Sequence, residues 1–187
     1  MASMKGMAVV QLVKLVRRWA KQEGIEDVAK ALDMEGSQIL SGRVLVSSWY
    51  PYEEFAKLLK AMGRLLGGND PDFFIRMGRL SAETDLDGTL SSFASRPDFS
   101  RFVRGLSRVW KAYSDRGELR IQESGPNSAE VTFERAPHLA HEHCLINQGW
   151  IAASLERGGA KDARVSHDEC VSRGDDRCLF RVNFIPG

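Results

Sequence analysis

Long apolar runs are missing from this sequence. No stretch approaches the ~18 apolar residues that a helical membrane span needs. The partly apolar segment Met1 to Lys21 is interrupted by Lys14, Arg17 and Arg18, where a signal peptide would carry an unbroken hydrophobic region. A charge surplus is missing too. The 26 basic and 25 acidic side chains leave a net charge of +1, so nucleic acid is not the implied partner. Cysteine is scarce, three in 187 residues, and an odd, low number fits a reducing compartment better than a disulfide framework. No glycine-rich phosphate loop, proton-transfer dyad or Ser/His/Asp order stands out, which argues against nucleotide binding and against an enzyme. The expectation is a soluble, cytoplasmic protein.

What is present is enough apolar material, 43% of the chain, for one substantial core and a single domain over 1–187. Val9, Leu12, Val13, Val16, Trp19 and Ala20 recur at helical spacing against Lys14, Arg17, Arg18 and Lys21, which predicts an amphipathic helix over 5–22. A short helix is expected from Glu26 to Leu32, and Arg43 to Trp49 reads as extended. Pro51 starts a helix lined by Phe55, Leu58, Leu59 and Met62 that closes at Gly67-Gly68. Asn69-Asp70-Pro71 starts the next, over 71–84 with a continuation toward Phe93. A further helix spans Asp98 to Ser114, with Phe102, Leu106, Val109, Trp110 and Tyr113 on one face.

The period then changes to two. Glu118–Gln122 and Ala129–Glu134 flank the four-residue turn Ser124-Gly125-Pro126-Asn127, a β-hairpin. Residues 138–157 read as a helix, and Ala163–Asp168 with Arg177–Phe184 as a second hairpin. Helices, hairpin, helix, hairpin is an α+β layout, an antiparallel sheet covered by helices.

Cys144, His167, Cys170 and Cys178 fall on the last helix and the last hairpin, elements that this topology brings together. Thiolate and imidazole are the donors zinc prefers, and a shell filled by three cysteines and one histidine leaves no open coordination position, so such a site is structural. The alternative is that three reduced cysteines pack as small apolar side chains.

The stretch His167-x-x-Cys170-x3-Gly174-Asp175-x-x-Cys178-x-Phe180-x-Val182 resembles the C-terminal signature of the vinyl-4-reductase domain family, found in the sensor domains of phenol-responsive regulators. The resemblance implies a zinc held by three cysteines and a fourth group, with Cys144 as the upstream cysteine. His167 stands where those sensors place a carboxylate. Glu169, His141 and His143 compete for the fourth place, although helical offsets of three and one from Cys144 are read as turning the two histidines away. The resemblance also implies a fold shared with heme nitric-oxide-binding proteins and TRAPP vesicle-tethering subunits, usually dimeric. Residues 49–187 would form the core, and 1–48 a helical extension used in dimerisation.

In such sensors a small apolar or aromatic ligand sits between helices and sheet. Gln148 and Val165 are the carried-over lining candidates, with Phe93, Phe102 and Trp110 as an opposite wall, against the plainer role of core packing. The phenol-anchoring histidine and tryptophan have no counterparts, so phenol specificity is not expected. His138, beside Pro137, reads as a solvated helix-start residue rather than a heme ligand. The expected function is a zinc-stabilised small-molecule-binding or sensor module of bacterial signalling type, acting through a homodimer or a protein partner. The alternatives are a ligand-free dimeric adaptor, a reductase accessory, and a DNA-binding regulator with a helix-turn-helix over Glu26–Ile39, whose recognition helix would be short and apolar.

Overall fold

The structure, a computed structural model, describes residues 1–19, 30, 39, 43–68, 70–88 and 99–186. The expected helix Glu26–Leu32, most of the helix-turn-helix segment, and the extension toward Phe93 lie outside the described residues. The chain divides into two compact units, Met1–Asp70 with Ala112–Arg116, and Pro71–Lys111 with Gly117–Gly187.

In the first unit, β1 (Ser3–Lys5) leads directly into α1 (Gly6–Trp19) and pairs antiparallel with β2 (Trp49–Pro51). Gly6 is required there, because a Cβ would lie 2.0 Å from the carbonyl oxygen of Leu45. The segment before β2 is a turn rather than the expected strand: Ser48 N–H donates to Leu45 O at 3.1 Å, and only Trp49 joins the ladder. Pro51 precedes α2 (Tyr52–Leu65), whose first turn carries Glu53 and Glu54 and whose last carries Arg64, charges that complement the helix dipole. Its buried stripe of Phe55, Leu58, Leu59 and Met62 follows the helical spacing of the sequence.

The second unit contains α3 (Pro71–Asp87), α4 (Phe99–Tyr113, its last two residues assigned to the first unit), a hairpin of β3 (Glu118–Gly125) and β4 (Ser128–Glu134), α5 (His141–Arg157), and a hairpin of β5 (Ala160–Glu169) and β6 (Cys178–Pro186). The four strands form one antiparallel sheet in the order β3-β4-β6-β5. The fold is therefore α+β, with helices on an antiparallel sheet. The first hairpin turns through two residues, Pro126 and Asn127, because Gly125 still pairs with Ser128 beyond an irregularity in β3. Pro137 and His138 sit in a turn closed by Leu139 N–H to Ala136 O, so α5 starts at His141 rather than 138.

Register puts Ala129, Val131 and Phe133 of β4 opposite Val182, Phe180 and Cys178 of β6, and all six are buried. Residues of opposite parity, Glu130 and Arg181 among them, form ion pairs on the other face, where Arg181 also reaches Asp168. α5 buries residues over more than half of its circumference, as a helix does when it has neighbours on more than one side. Its closest neighbour is α3. A Cβ on Gly78 would lie 1.9 Å from Ile146 O, and one on Gly149 would lie 1.9 Å from Ile75 O, so the two helices touch backbone to backbone through reciprocal glycines. Trp150 Nε1 donates to the buried Asp85 at 3.0 Å, and the exposed Asp87 pairs with Arg157, so both aspartates engage α5. Arg79 pairs with Glu156 across the same contact.

Neither glycine can take a methyl group without separating the helices. Gly149→Ala or Gly78→Ala is expected to lower stability by about 1–3 kcal/mol in thermal or denaturant unfolding. Glu83→Ala, on the exposed side of α3, should change it by no more than about 0.5 kcal/mol. Equal midpoints for the glycine variants and the parent would contradict this packing.

Candidate metal centre

Three elements deliver the four donors. Cys144 lies in the first turn of α5, its N–H bonded to Ala140 O at 3.1 Å. His167 lies near the end of β5, opposite Phe180 of β6, and its ring stacks on that phenyl group at 4.4 Å and 10°. Cys170 follows β5 immediately and precedes a single 3-10 turn, Val171–Arg173. Cys178 is the first residue of β6.

The turn between the last two cysteines is held by backbone bonds. Cys170 O accepts from Arg173 N–H at 2.8 Å and Asp175 N–H at 3.2 Å. Cys170 N–H donates to Asp175 Oδ2 at 2.6 Å. Gly174 takes φ +98°, a conformation that suits glycine and reverses the chain. The Gly174-Asp175 pair of the sequence signature thus has a mechanical role: glycine makes the reversal, and aspartate ties it to the ligand that starts it. Arg173 adds bonds from its guanidinium to the carbonyls of His167 and Asp168 at 3.3 and 2.9 Å.

The donor atoms converge. Cys144 Sγ lies 3.4 Å from Cys178 Sγ and 3.9 Å from Cys170 Sγ, and with His167 all four ligand atoms lie within 4.8 Å of one another. Tetrahedral zinc with thiolate bonds of ~2.3 Å requires sulfur–sulfur edges of about 3.8 Å, and the observed pair distances fall around that value. All three cysteines are free thiols with 0% exposure. Both ring nitrogens of His167 are buried without an oxygen or nitrogen partner, and the ring lies against the Cys178 thiol, whose ionisation it favours. A buried imidazole left in that state is costly unless something else engages its nitrogens.

Electrostatics point the same way. Hydrogen bonds from the neighbouring thiols push Cys144 up, and its thiol group in turn pulls Cys170 and Cys178 down. Cys144 is thus the thiol most disposed to keep its proton, and Cys170 and Cys178 are those disposed to lose theirs. Ser172 Oγ, 2.9 Å from Cys170 Sγ, contributes to lowering Cys170. Ser172 was not among the expected site residues, although its position two after a ligand cysteine was a readable signal.

The competitors separate clearly. Glu169 is engaged by Arg177 at 2.7 Å, which holds its carboxyl below the ordinary range. His143 is buried with its ring 6.0 Å from that of Trp110, and burial, then His138, pushes it down to about 3, so it is neutral. His141 departs from expectation. Its Nδ1 lies 3.9 Å from Cys170 Sγ, and its ring lies 5.9 Å from that of His167 at 19°. An offset of three residues keeps two side chains on one helix face, so His141 and Cys144 look the same way. His138 is half-buried in the turn before α5, with its Nε2 enclosed, rather than solvated at a helix start.

Of the lining candidates, Gln148 and Val165 are brought together, Gln148 Nε2 donating to Val165 O at 2.7 Å. Trp110 is buried and meets Phe133 edge to face at 4.8 Å. Phe93 lies outside the described residues, and so does the side chain of Phe102.

The fold defined by these elements is that of H-NOX domains. An H-NOX protein from S. oneidensis in the Fe(II)NO ligation state aligns with a TM-score of 0.70 and 19% identity, covering 97% of this chain and 99% of that one. The Fe(II) unliganded H-NOX protein from K. algicida gives a TM-score of 0.69 at 16% identity, covering 98% of both chains. A structure described as "Modulating Heme Redox Potential Through Protein-Induced Porphyrin Distortion" gives 0.67 at 18%, covering 97% of this chain and 100% of that one. No curated protein matches in sequence. The chain belongs to the family described as "Protein of unknown function (DUF2378)", whose profile matches residues 1–183. The vinyl-4-reductase signature is thus present as a local pattern, while the family that the whole chain matches is a different one. Among the described residues no helix is long and apolar enough to cross a membrane.

The thiol state is directly measurable. Denatured protein kept free of oxidants should show three thiols per chain to a colorimetric thiol reagent, while the native chain should react far more slowly. A count of one would indicate a disulfide and contradict the geometry.

Proposed function

We propose that this chain is a zinc-stabilised ligand-binding or sensor module, not an enzyme, whose state is read through a second copy or a protein partner. The observation that carries the metal half is His167. Its two buried nitrogens have no oxygen or nitrogen partner and face three buried thiols, with all four ligand atoms within 4.8 Å of one another. Three thiolates and an imidazole close the shell, so zinc here would hold β5, the turn and β6 against α5 rather than activate water. Metal binding of this kind contributes ~10 kcal/mol or more to folding, comparable to the whole net stability of a domain.

Heme, the group named for one of the similar structures, does not fit this donor set. Porphyrin iron already has four equatorial nitrogens and takes one or two axial ligands from the protein. Here four donors converge within 4.8 Å, the space of a bare ion. At this cluster a bare ion rather than heme is the reading these donors favour.

The sensing half rests on the H-NOX-like fold and on Gln148, whose side chain ties α5 to the backbone of β5 one helical turn beyond Cys144. A small apolar or aromatic ligand held between α5 and the sheet would compete with or reorganise that bond, and so alter the element that carries the metal ligand.

Zinc analysis of purified protein should give close to one ion per chain. Cys170→Ser and Cys178→Ser should lose it, together with much of the cooperative unfolding transition. Native mass spectrometry on the same sample reads zinc, subunit number and any retained small molecule at once. A ratio well below one, or an unchanged fold and midpoint in Cys170→Ser, would defeat the metal reading. A metal-replete dimer that retains and binds no small molecule would favour the ligand-free adaptor.

A further inference from the structure

We propose that His141 is the ligand through which zinc enters and leaves the buried site, handing the ion to His167 by exchange of one imidazole for the other. This rests on the metal reading above. The four final donors pose an access problem, since the three cysteines are fully buried and a hydrated cation cannot meet them together. His141 is different. It is exposed at the first position of α5, on the face that carries Cys144, and its Nδ1 stands 3.9 Å from Cys170 Sγ. That separation matches the edge between two ligands of a tetrahedral ion, about 3.6 Å for one thiolate and one imidazole. His141 can therefore take an ion that still holds water at the surface, and Cys170, buried beside it, is the first thiol that ion meets as it sheds water.

The inner imidazole continues the path. The His167 ring lies nearly parallel to that of His141, 5.9 Å away, already turned to the Cys178 thiol, and it is stacked on Phe180. An ion held by His141 and Cys170 can gain Cys144 and Cys178 while it loses water, the thiol protons passing to solvent. His167 then displaces His141. Cys170 stays bound throughout, so the ion never becomes under-coordinated. His141 cannot remain as an equal partner, because three thiolates and one imidazole already complete a tetrahedron.

The test follows zinc release from the loaded full-length protein into excess 4-(2-pyridylazo)resorcinol, read by absorbance, for the parent, His141→Ala and His141→Gln. Entry and exit share one path at equilibrium, so release reports on both. The expected result is one zinc per chain in all three, an unchanged unfolding midpoint, and release slowed about tenfold in both variants, the effect of losing one modest interaction in the exchange transition state. Release as fast as the parent's would overturn the proposal. So would loss of zinc from the two variants at equilibrium, which would make His141 a permanent ligand. A parent chain that holds no zinc is seen before any variant is compared; it sinks the metal reading itself and this inference with it.

Discussion

Three thiols packed at 3.4 and 3.9 Å in a place closed to water are the constraint on which the C-terminal half depends. Hydrogen bonding among them opposes ionisation of Cys144 and favours it at Cys170 and Cys178, which sets negative charge against burial. A divalent cation removes that conflict, because it compensates the charge that would otherwise be buried unpaired. Such an ion would also tie together chain segments far apart in sequence, a helix at Cys144 and a hairpin at 167–178.

Two features hold α5 where Cys144 can serve. On one side the reciprocal glycines 78 and 149 let α3 approach to backbone contact, and buried Asp85 receives the Trp150 indole. On the other, Gln148 bonds to the Val165 carbonyl on β5. An aromatic series then links the centre of the unit to the site. Trp110 meets Phe133 at 4.8 Å, Phe133 meets Phe180 at 5.7 Å, and Phe180 stacks on His167 at 4.4 Å. Well-packed rings of this kind transmit displacement poorly as bending and well as a repacking step. A displacement of Trp110 would therefore be felt at His167.

Much of this was legible from residue patterns. Period-two alternation located both hairpins, because one sheet face is buried and the other carries the ion pairs of Arg181. The spacing of Cys170, Gly174, Asp175 and Cys178 anticipated the ligand turn, since the geometry of reversal demands glycine at φ +98° and an acceptor for the Cys170 N–H. Features set by packing or by local turn competition were harder to read. Gly125 gave no sign that it would stay in the ladder, and the Pro137 turn delayed α5 by three residues. His141 was misjudged for a geometric reason: an offset of three on a helix is a neighbour, not an opposite. The α3–α5 contact was invisible, because glycines inside helical patterns look like weaknesses until the helix they touch is known.

The central claim is that His167 and the three cysteines enclose one zinc ion, and the metal's own coordination shell tests it most directly. X-ray absorption at the zinc edge on purified, reduced protein should show three sulfurs at ~2.3 Å and one nitrogen at ~2.0 Å. A shell dominated by oxygen, two or fewer sulfurs, or an edge too weak for one ion per chain would contradict the account.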